Sequence, residues 1–197
     1  KLIVATDADC RFETDWLLTI AHYYESTGAK FIAAPVKIIP AKTFVGIFQL
    51  LDFISLQGIT AAAVFKKKLS MCNGANLAYE RNAFTEVNGF TGVDHIASGD
   101  DMLLMHKIWK RYPDRVHYLK SKEAIVSTLP MKTWKAFFNQ RIRWASKAKN
   151  YDDKRILAVL LLVYLFNFFF LGLAVAGFFN SYYWLYLAGL VVAKTIV

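Results

Sequence analysis

The sequence predicts an α/β domain followed by transmembrane helices, and two observations lead to this fold class. Apolar runs typical of strands alternate with helical segments over residues 1–150, a pattern that favours layered α/β structure. Between residues 156 and 197 the only charged residue is Lys194, whereas residues 1–155 hold all 15 carboxylates and 23 of the 24 Lys and Arg side chains. We therefore expect a domain at 1–150, a transmembrane helix at 156–179 and the start of a second at 182–197.

The composition excludes several classes of protein. Aromatic residues make up 16% of the chain and no long heptad or Gly-X-Y repeat is present, which excludes disordered, coiled-coil and collagen-like proteins. Cys10 and Cys72 are the only cysteines, so a disulfide scaffold is excluded, and they form no zinc-site spacing with the four histidines. The net charge of +9 does not indicate nucleic-acid binding, because many cations lie near the apolar segment, where anionic lipid explains them.

The first apolar run, residues 1–6, predicts a buried parallel strand that ends at Asp7-Ala8-Asp9. Alternate residues of an extended strand point to the same side, so both carboxylates can bind one hard cation such as Mg²⁺ or Mn²⁺. Ligands also bind at the carboxyl ends of strands in open α/β sheets. An isolated DxD motif in a loop is more often a turn or a helix cap than a metal site.

A helix and a strand are predicted next. The helix covers residues 15–27 and ends at Gly28, and the strand covers residues 31–39, with Pro35 indicating a sheet edge or a bulge. An apolar helix at 43–65 then places Gln49, Asp52 and Ser55 along one face, and it is expected either in a core or in a membrane interface. The remaining predicted elements are a turn and strand at 73–78, short helix 81–87, helix 101–111, strands 116–119 and 124–128, and amphipathic helix 131–150.

Ser98-Gly99-Asp100-Asp101 precedes the predicted helix at 101–111 and has two interpretations. Ser98 as N-cap with Asp101 three residues later resembles a capping box. Adjacent carboxylates on a glycine turn can equally supply a catalytic base for a sugar hydroxyl. The residues alone favour neither interpretation.

The motif Gln140-Arg141-Ile142-Arg143-Trp144 lies in the amphipathic helix. Gln140, Arg143, Trp144 and Lys147 follow helical spacing and share one face. Arg suits bidentate contact with phosphate oxygens, and Trp offers a flat surface for a sugar. The alternative is a basic, membrane-proximal helix with an interfacial Trp. The apolar face is predicted to hold Trp134, Phe138, Ile142 and Ala145.

Residues 156–179 contain no charge, and as a helix they would be about 36 Å long, enough to span a bilayer core of about 30 Å. Asn167 is expected to face a neighbouring helix. An aromatic cluster at 182–186 fits a membrane interface, and the cations before the span place that side in the cytoplasm. The chain begins within an apolar run and ends within an apparent span, so we expect it to be part of a longer protein.

Five segments, in this order, resemble the family 2 glycosyltransferases, specifically the membrane-integrated branch related to cellulose and hyaluronan synthases. The segments are IVATDADC (3–10), CNGANLAYERNAF (72–84), NGF (88–90), SGDDMLL (98–104) and QRIRW (140–144). The resemblance implies a partial GT-A fold, a Rossmann-like nucleotide-diphospho-sugar transferase domain. It also implies an inverting hexosyl- or N-acetylhexosaminyltransferase in the cytoplasmic membrane, with its catalytic domain in the cytoplasm.

The resemblance assigns roles residue by residue. It implies Asp101 as general base, supported by Asp100, and Asp7 and Asp9 as ligands of Mg²⁺ or Mn²⁺. Gln140 and Arg143 match residues that bind the donor diphosphate, with Arg141 supporting them. The acceptor site is implied to contain Trp144 together with the loop Cys72, Asn73 and Gly74. The implied partners are a UDP- or GDP-sugar, a saccharide or lipid-linked acceptor and the bilayer, without nucleic acid.

Two departures from the family pattern affect these expectations. The family's N-terminal strands, with an early Asp that binds the nucleotide base, have no counterpart here, so the donor is not assigned and this chain alone is expected to be inactive. Asp100 stands where Glu is commoner. A non-catalytic membrane-anchored scaffold that kept the fold is the alternative hypothesis. A phosphoryl-transfer enzyme would need a glycine-rich phosphate loop, and the sequence shows none.

Overall fold

The computed structural model describes residues 1–68, 71–92, 99–146 and 154–196. The chain divides into two compact units, Lys1–Asn150 and Tyr151–Val197. The first unit contains strands and helices in alternation, which confirms the predicted mixed α/β class. The described residues of the second unit, 154–196, contain two helices.

Among its described residues, the first unit has seven short strands in two sheets. The four-stranded sheet has the spatial order β1 (Leu2–Ala5), β5 (Leu77–Glu80), β3 (Phe31–Ala33) and β6 (Val116–Tyr118). The three-stranded sheet has the order β2 (Arg11–Phe12), β7 (Val126–Thr128) and β4 (Val36–Ile38). The pairs β3–β6 and β4–β7 are parallel, and the remaining pairs are antiparallel.

The predicted direction of the first strand is wrong. β1 pairs antiparallel with β5, with Leu2 opposite Glu80 and Ala5 opposite Leu77, and its side chains are only partly buried. An apolar run fits a parallel or an antiparallel neighbour, and here the neighbour comes from more than 70 residues further along the chain. Among the described strands β1 lies at the edge of its sheet, which explains its partial burial.

The predicted strand at 31–39 is divided into β3 and β4 by Ala34 and Pro35. Proline has no N–H for a sheet ladder, so the chain leaves the four-stranded sheet there. The Ala34 N–H donates to the Asn76 carbonyl (3.1 Å), and the Pro35 carbonyl accepts from the Val126 N–H (3.1 Å). The predicted edge or bulge is therefore the point at which the chain passes from one sheet to the other.

In the described part of the first unit there are five α-helices: α1 (Trp16–Thr27), α2 (Phe44–Phe65), α3 (Arg81–Glu86), α4 (Asp100–Arg111) and α5 (Trp134–Ser146). α1 ends as predicted at Gly28, whose φ of +62° is a left-handed conformation favoured by glycine. The predicted helix at 131–150 is observed as α5, and residues 147–150 lie outside the described part of the chain.

Two hydrophobic cores lie on opposite faces of β3 because neighbouring strand residues point in opposite directions. Ile32 packs with Trp16 and Ile20 of α1, whereas Phe31 and Ala33 pack with Leu104 and Ile108 of α4. All of these side chains are buried. The four-stranded sheet therefore lies between α1 and α4.

The second unit consists of α6 (Lys154–Gly177) and α7 (Tyr182–Ile196). A Cβ at Gly177 would lie 2.6 Å from the Trp184 ring, so glycine is required where the two helices meet. Many of their described side chains are large, apolar and exposed, among them Leu162, Phe169, Leu171, Phe179 and Leu185. Their described apolar stretches cover Tyr164–Gly177 and Tyr182–Ala193. The transmembrane assignment of 156–179 and 182–197 stays a prediction.

Within the described residues, α2 is the one helix long and apolar enough to cross a membrane. Its Phe53 and Val64 are nevertheless buried in cores of the α/β unit, and it packs against β4 and β6. Length and composition alone therefore do not make α2 a transmembrane segment.

Candidate active site

The Asp7-Ala8-Asp9 motif forms a turn two residues after β1. The Cys10 N–H donates to the Asp7 carbonyl (3.1 Å), which closes the turn. The sequence predicted that strand alternation would bring the two carboxylates together, but the turn does so instead. One ligand atom from each of Asp7, Asp9 and Cys10 lies within 4.8 Å of the others. Both aspartates are exposed and accessible to a ligand.

The chemistry of this cluster favours a hard cation. Burial raises the pKa of the Cys10 thiol, and the charges of Asp7 and Asp9 raise it further, so the sulfur stays protonated at neutral pH. Two carboxylates therefore remain as the charged ligands, and oxygen ligands suit Mg²⁺ or Mn²⁺. The residues present thus fit the predicted metal, with Cys10 as a neighbour that the sequence did not single out.

The acid pair, Asp100 and Asp101, lies at the start of α4, beside the loop that precedes β5. The N-cap is Gly99, with a φ of +97°, and Ser98 lies outside the described residues. A glycine N-cap has no side chain to accept a hydrogen bond, so the capping-box interpretation is wrong. Asp101 Oδ1 instead accepts the Met102 N–H (2.9 Å).

Gly74 brings the loop backbone against Asp101. A Cβ built on Gly74 would lie 3.3 Å from Asp101 Oδ2, closer than most real Cβ contacts. Cys72, in the same loop, has a pKa raised well above its ordinary value, mainly by burial and then by the charges of Asp101 and Asp100. The predicted acceptor loop and the predicted base are therefore neighbours in space.

Asn76 holds this loop in place and was not among the predicted site residues. Its side chain is fully buried. Its Oδ1 accepts from Trp16 Nε1 (3.1 Å), and its Nδ2 donates to the carbonyls of Pro35 and Ala124 (both 2.7 Å). Because the amide is buried and both its NH₂ group and its oxygen form hydrogen bonds, it stabilises one arrangement of four chain segments. Its position just before an apolar strand was the only signal in the sequence.

In α5 the residues of the QRIRW motif differ in their exposure. Trp144 is half-buried and packs on Phe53, with ring centroids 6.3 Å apart, whereas Arg143 is exposed and Gln140 is half-buried. Lys147, the fourth residue of the predicted face, lies outside the described residues. The predicted apolar face does exist, and it is exposed: it contains Trp134, Phe138, Ile142 and Ala145.

Arg141 is engaged inside the unit. Its guanidinium forms an ion pair with Asp52 of α2 and lies over the rings of Trp144 (4.3 Å to the centroid) and Phe137 (4.7 Å). Its Nη1 is buried with no hydrogen-bond partner among the described residues. Asp52 is the only acidic residue in the apolar segment 43–65, which was a signal that the sequence offered for this contact.

A small apolar cluster brings the separate motifs together. Its buried members are Val36, Ile38, Phe53 and Ala75, and Cys10 and Trp144 pack against it. Cys10 adjoins Asp9, Ala75 adjoins Gly74, and Trp144 ends the QRIRW motif. The acidic turn, the loop beside Asp101 and α5 therefore meet at one place in the α/β unit.

The family model described as glycosyl transferase family group 2 matches residues 2–197. The match includes the acidic turn, the loop, the acid pair and the QRIRW motif, and it extends over α6 and α7. A comparison with curated proteins found no match.

Proposed function

The chain belongs to glycosyl transferase family group 2, and we propose that it is a metal-dependent, inverting enzyme at the cytoplasmic face of a membrane. The donor is a UDP- or GDP-sugar, and the acceptor is a saccharide or a lipid-linked sugar. One observation carries the proposal: the acidic turn, the loop beside Asp101 and the QRIRW helix meet on a single apolar cluster. We also propose that the chain belongs to the membrane-integrated branch of the family.

Asp7 and Asp9 would hold Mg²⁺ or Mn²⁺ in this proposal. When bound there, the cation neutralises negative charge on the departing nucleoside diphosphate. The exposure of both carboxylates leaves them accessible to the phosphate oxygens of a donor. Arg143, also exposed, and Gln140 supply a guanidinium and an amide for the same diphosphate, since Arg suits bidentate contact with phosphate.

Asp101 is the proposed general base. The acceptor hydroxyl oxygen attacks the anomeric carbon, the bond from that carbon to the diphosphate oxygen breaks, and the hydroxyl proton passes to the Asp101 carboxylate. A single displacement of this kind inverts the anomeric centre. Gly74 supports the assignment because the absence of a side chain there leaves space beside the carboxylate.

Trp144 is proposed to line the acceptor site with Cys72, Asn73 and Gly74. Its ring is half-buried and held by Phe53 and Arg141, so its position is defined before a sugar arrives. The two arginines of the motif have different proposed roles, because Arg141 is paired with Asp52. Arg143 is directed to the donor, whereas Arg141 holds the helix.

The test is release of nucleoside diphosphate by the full-length protein in its native membranes, with a panel of UDP- and GDP-sugars and Mg²⁺ or Mn²⁺. We expect release from one donor, abolished by EDTA and by Asp101→Asn. Asp15→Asn is the matched control, because Asp15 is exposed and its side chain makes no capping hydrogen bond. Activity that survives Asp101→Asn would contradict the proposed base. If no donor of the panel gives nucleoside diphosphate release, although the protein is folded and acceptor is present, the scaffold hypothesis would be favoured.

A further inference from the structure

The turn after α3, residues 88–92, has a left-handed backbone at two successive positions. Asn88 has a φ of +58° and Gly89 a φ of +47°. A Cβ built on Gly89 would lie 2.5 Å from the Phe84 ring, so only glycine fits there. The Thr91 N–H donates to the Asn88 carbonyl (3.0 Å) and closes the turn. We call these residues the 88–92 turn.

Lys107 of α4 joins this turn to the helix at two points. Its ammonium donates to the carbonyls of Gly89 (2.7 Å) and Thr91 (2.9 Å). Gly89 is buried, so its carbonyl depends on a partner within the protein. Hydrogen bonds from a charged donor are shorter and stronger than those between neutral groups. Lys107 therefore determines how α4 and the 88–92 turn lie against each other.

Aromatic packing connects the 88–92 turn to the acid pair. The Phe90 ring meets the Phe84 ring edge to face (5.2 Å between centroids), and Phe84 stacks on Tyr79 of β5 (5.3 Å). Tyr79 is buried, and its pKa is raised by that burial and then by the negative charge of Asp100. The turn, α3, β5 and the start of α4 therefore pack together.

The position of α4 along its own axis decides where the acid pair lies. Asp100 and Lys107 are seven residues apart and share one face of α4, about 10 Å from each other along the axis. The inward face of the helix packs through Leu104 and Ile108. Apolar contacts are non-directional, whereas hydrogen bonds depend on distance and angle. The bonds of Lys107 therefore fix α4 along its axis more sharply than its apolar face does.

We propose that Lys107 is a positioning residue for Asp101, and that it acts by fixing α4 against the 88–92 turn. The inference rests on the proposed function and deepens it, because it assigns a role to a side chain almost two helical turns from the proposed base. Asp101 has little room to move, since a Cβ on Gly74 would lie 3.3 Å from its Oδ2. A displacement of a catalytic group by about 1 Å can lower the rate about 100-fold.

The kinetic test compares variants of the full-length protein in its native membranes. Lys107→Met removes the hydrogen-bond donors and keeps a side chain of similar length, and Lys107→Arg restores a charged donor. Arg111→Met is the matched control, because Arg111 also joins α4 to α3, through an exposed ion pair with Glu86. Lys107→Gln replaces Lys107→Met if that variant fails to fold.

We expect Lys107→Met to lower kcat about 10-fold or more, since the base is displaced from the acceptor hydroxyl. The KM for the donor should stay unchanged, because the proposed donor residues lie on α5 and in the acidic turn. Lys107→Arg should recover part of kcat, and Arg111→Met should keep the wild-type value. A general loss of stability would not produce this split between kcat and KM, nor the recovery with Arg.

A second measurement does not depend on activity. Alkylation of Cys72 at increasing pH, followed by mass spectrometry of its peptide, reports on the acid pair, because the charges of Asp101 and Asp100 help to hold the Cys72 pKa above its ordinary value. We expect the pH profile of Lys107→Met to shift to lower pH, and that of Lys107→Arg to return towards the wild-type profile.

Three results would overturn the proposal. The first is a wild-type kcat in Lys107→Met. The second is an equal loss of kcat in Lys107→Met and Arg111→Met, and the third is a loss of kcat with an unchanged Cys72 profile, since Lys107 would then not act through the acid pair. If the wild-type protein releases no nucleoside diphosphate from any donor, the proposed function fails. The Cys72 profile then decides by itself whether Lys107 holds the acid pair in place.

Discussion

Asp52 of α2 and Arg141 of α5 form an ion pair between residues 89 positions apart in the sequence. The same guanidinium lies over the Trp144 ring, and on α2 Gln49 exchanges hydrogen bonds with the Met131 backbone just before α5 (2.9 and 3.0 Å). α2 therefore holds α5 at its start and at its centre. Because α5 carries the proposed diphosphate and acceptor residues, this attachment determines where they lie.

Loss of the Asp52–Arg141 pair should weaken both the fold and the site. Asp52→Asn is expected to lower the free energy of unfolding by about 1–3 kcal/mol, because it leaves a largely buried guanidinium without its anion. It should also lower kcat/KM, since the guanidinium that lies over the Trp144 ring is then no longer held by Asp52. Urea unfolding and steady-state kinetics measure the two effects.

Asp114→Asn is the matched control, because the ion pair of Asp114 with Lys67 is exposed. We expect it to leave both the free energy of unfolding and kcat/KM nearly unchanged, because solvent screens an exposed pair. The double variant Asp52→Arg with Arg141→Asp should recover part of the loss if the attraction itself matters. Equal effects of Asp52→Asn and Asp114→Asn would show that the pair does not position α5.

Gly74→Ala should impair turnover more than folding. The added methyl group would lie 3.3 Å from Asp101 Oδ2, so the carboxylate must move by a few tenths of an ångström. We expect kcat to fall by roughly 10- to 100-fold, since small misplacements of a catalytic group carry losses of this size. Gly58→Ala in α2 is the control, because a Cβ there meets no atom within 4 Å. Unchanged kcat in Gly74→Ala would argue against Asp101 as the base.

Asn76→Ala should destabilise the α/β unit. It removes three hydrogen bonds of a fully buried side chain. The Trp16 Nε1 donor and the Ala124 carbonyl lose this partner, whereas the Pro35 carbonyl keeps the Val126 N–H. We expect a loss of about 3 kcal/mol or more in the free energy of unfolding, because each buried group left unsatisfied costs about 1–3 kcal/mol. Asn82→Ala, at an exposed position of α3, should cost far less. Urea unfolding followed by Trp fluorescence compares the two.

The Cys72 thiol should react slowly with maleimide at neutral pH. Burial and the charges of Asp101 and Asp100 hold its pKa well above the ordinary 9.0, so the reactive thiolate forms only at higher pH. Asp101→Asn removes one of these charges and should shift the pH profile of alkylation to lower pH. Because the folded thiol keeps its proton when the unfolded one loses it, stability should fall as the pH rises above about 9.

Cys10→Ser isolates Cys72 for this measurement, and Asp15→Asn controls for a general loss of negative charge. A pH profile unchanged by Asp101→Asn, in protein that unfolds at the same urea concentration, would contradict the proximity of the two residues. A shift of the profile would support that proximity independently of any substrate.

Local sequence patterns predicted most elements of the α/β unit because the interactions behind them are local. Gly28 ends α1 through its own left-handed backbone, and the apolar spacing of residues 134, 138 and 142 marks one face of α5. The motifs DADC, SGDD and QRIRW identified the glycosyltransferase family by their order along the chain, and the family match confirms it.

The arrangement of those motifs was decided by the tertiary structure. The direction of β1 depends on β5, the division of residues 31–39 depends on Asn76 and Val126, and the role of Arg141 depends on Asp52. Each of these partners lies tens of residues away, and no local pattern specifies which distant residue a strand, carbonyl or guanidinium will meet. The sequence by itself determined the residue chemistry and the family. Only the tertiary structure decided that Cys10, Gly74 and Trp144 would lie near one another. The physical reason is the burial of one shared apolar surface, formed by Val36, Ile38, Phe53 and Ala75.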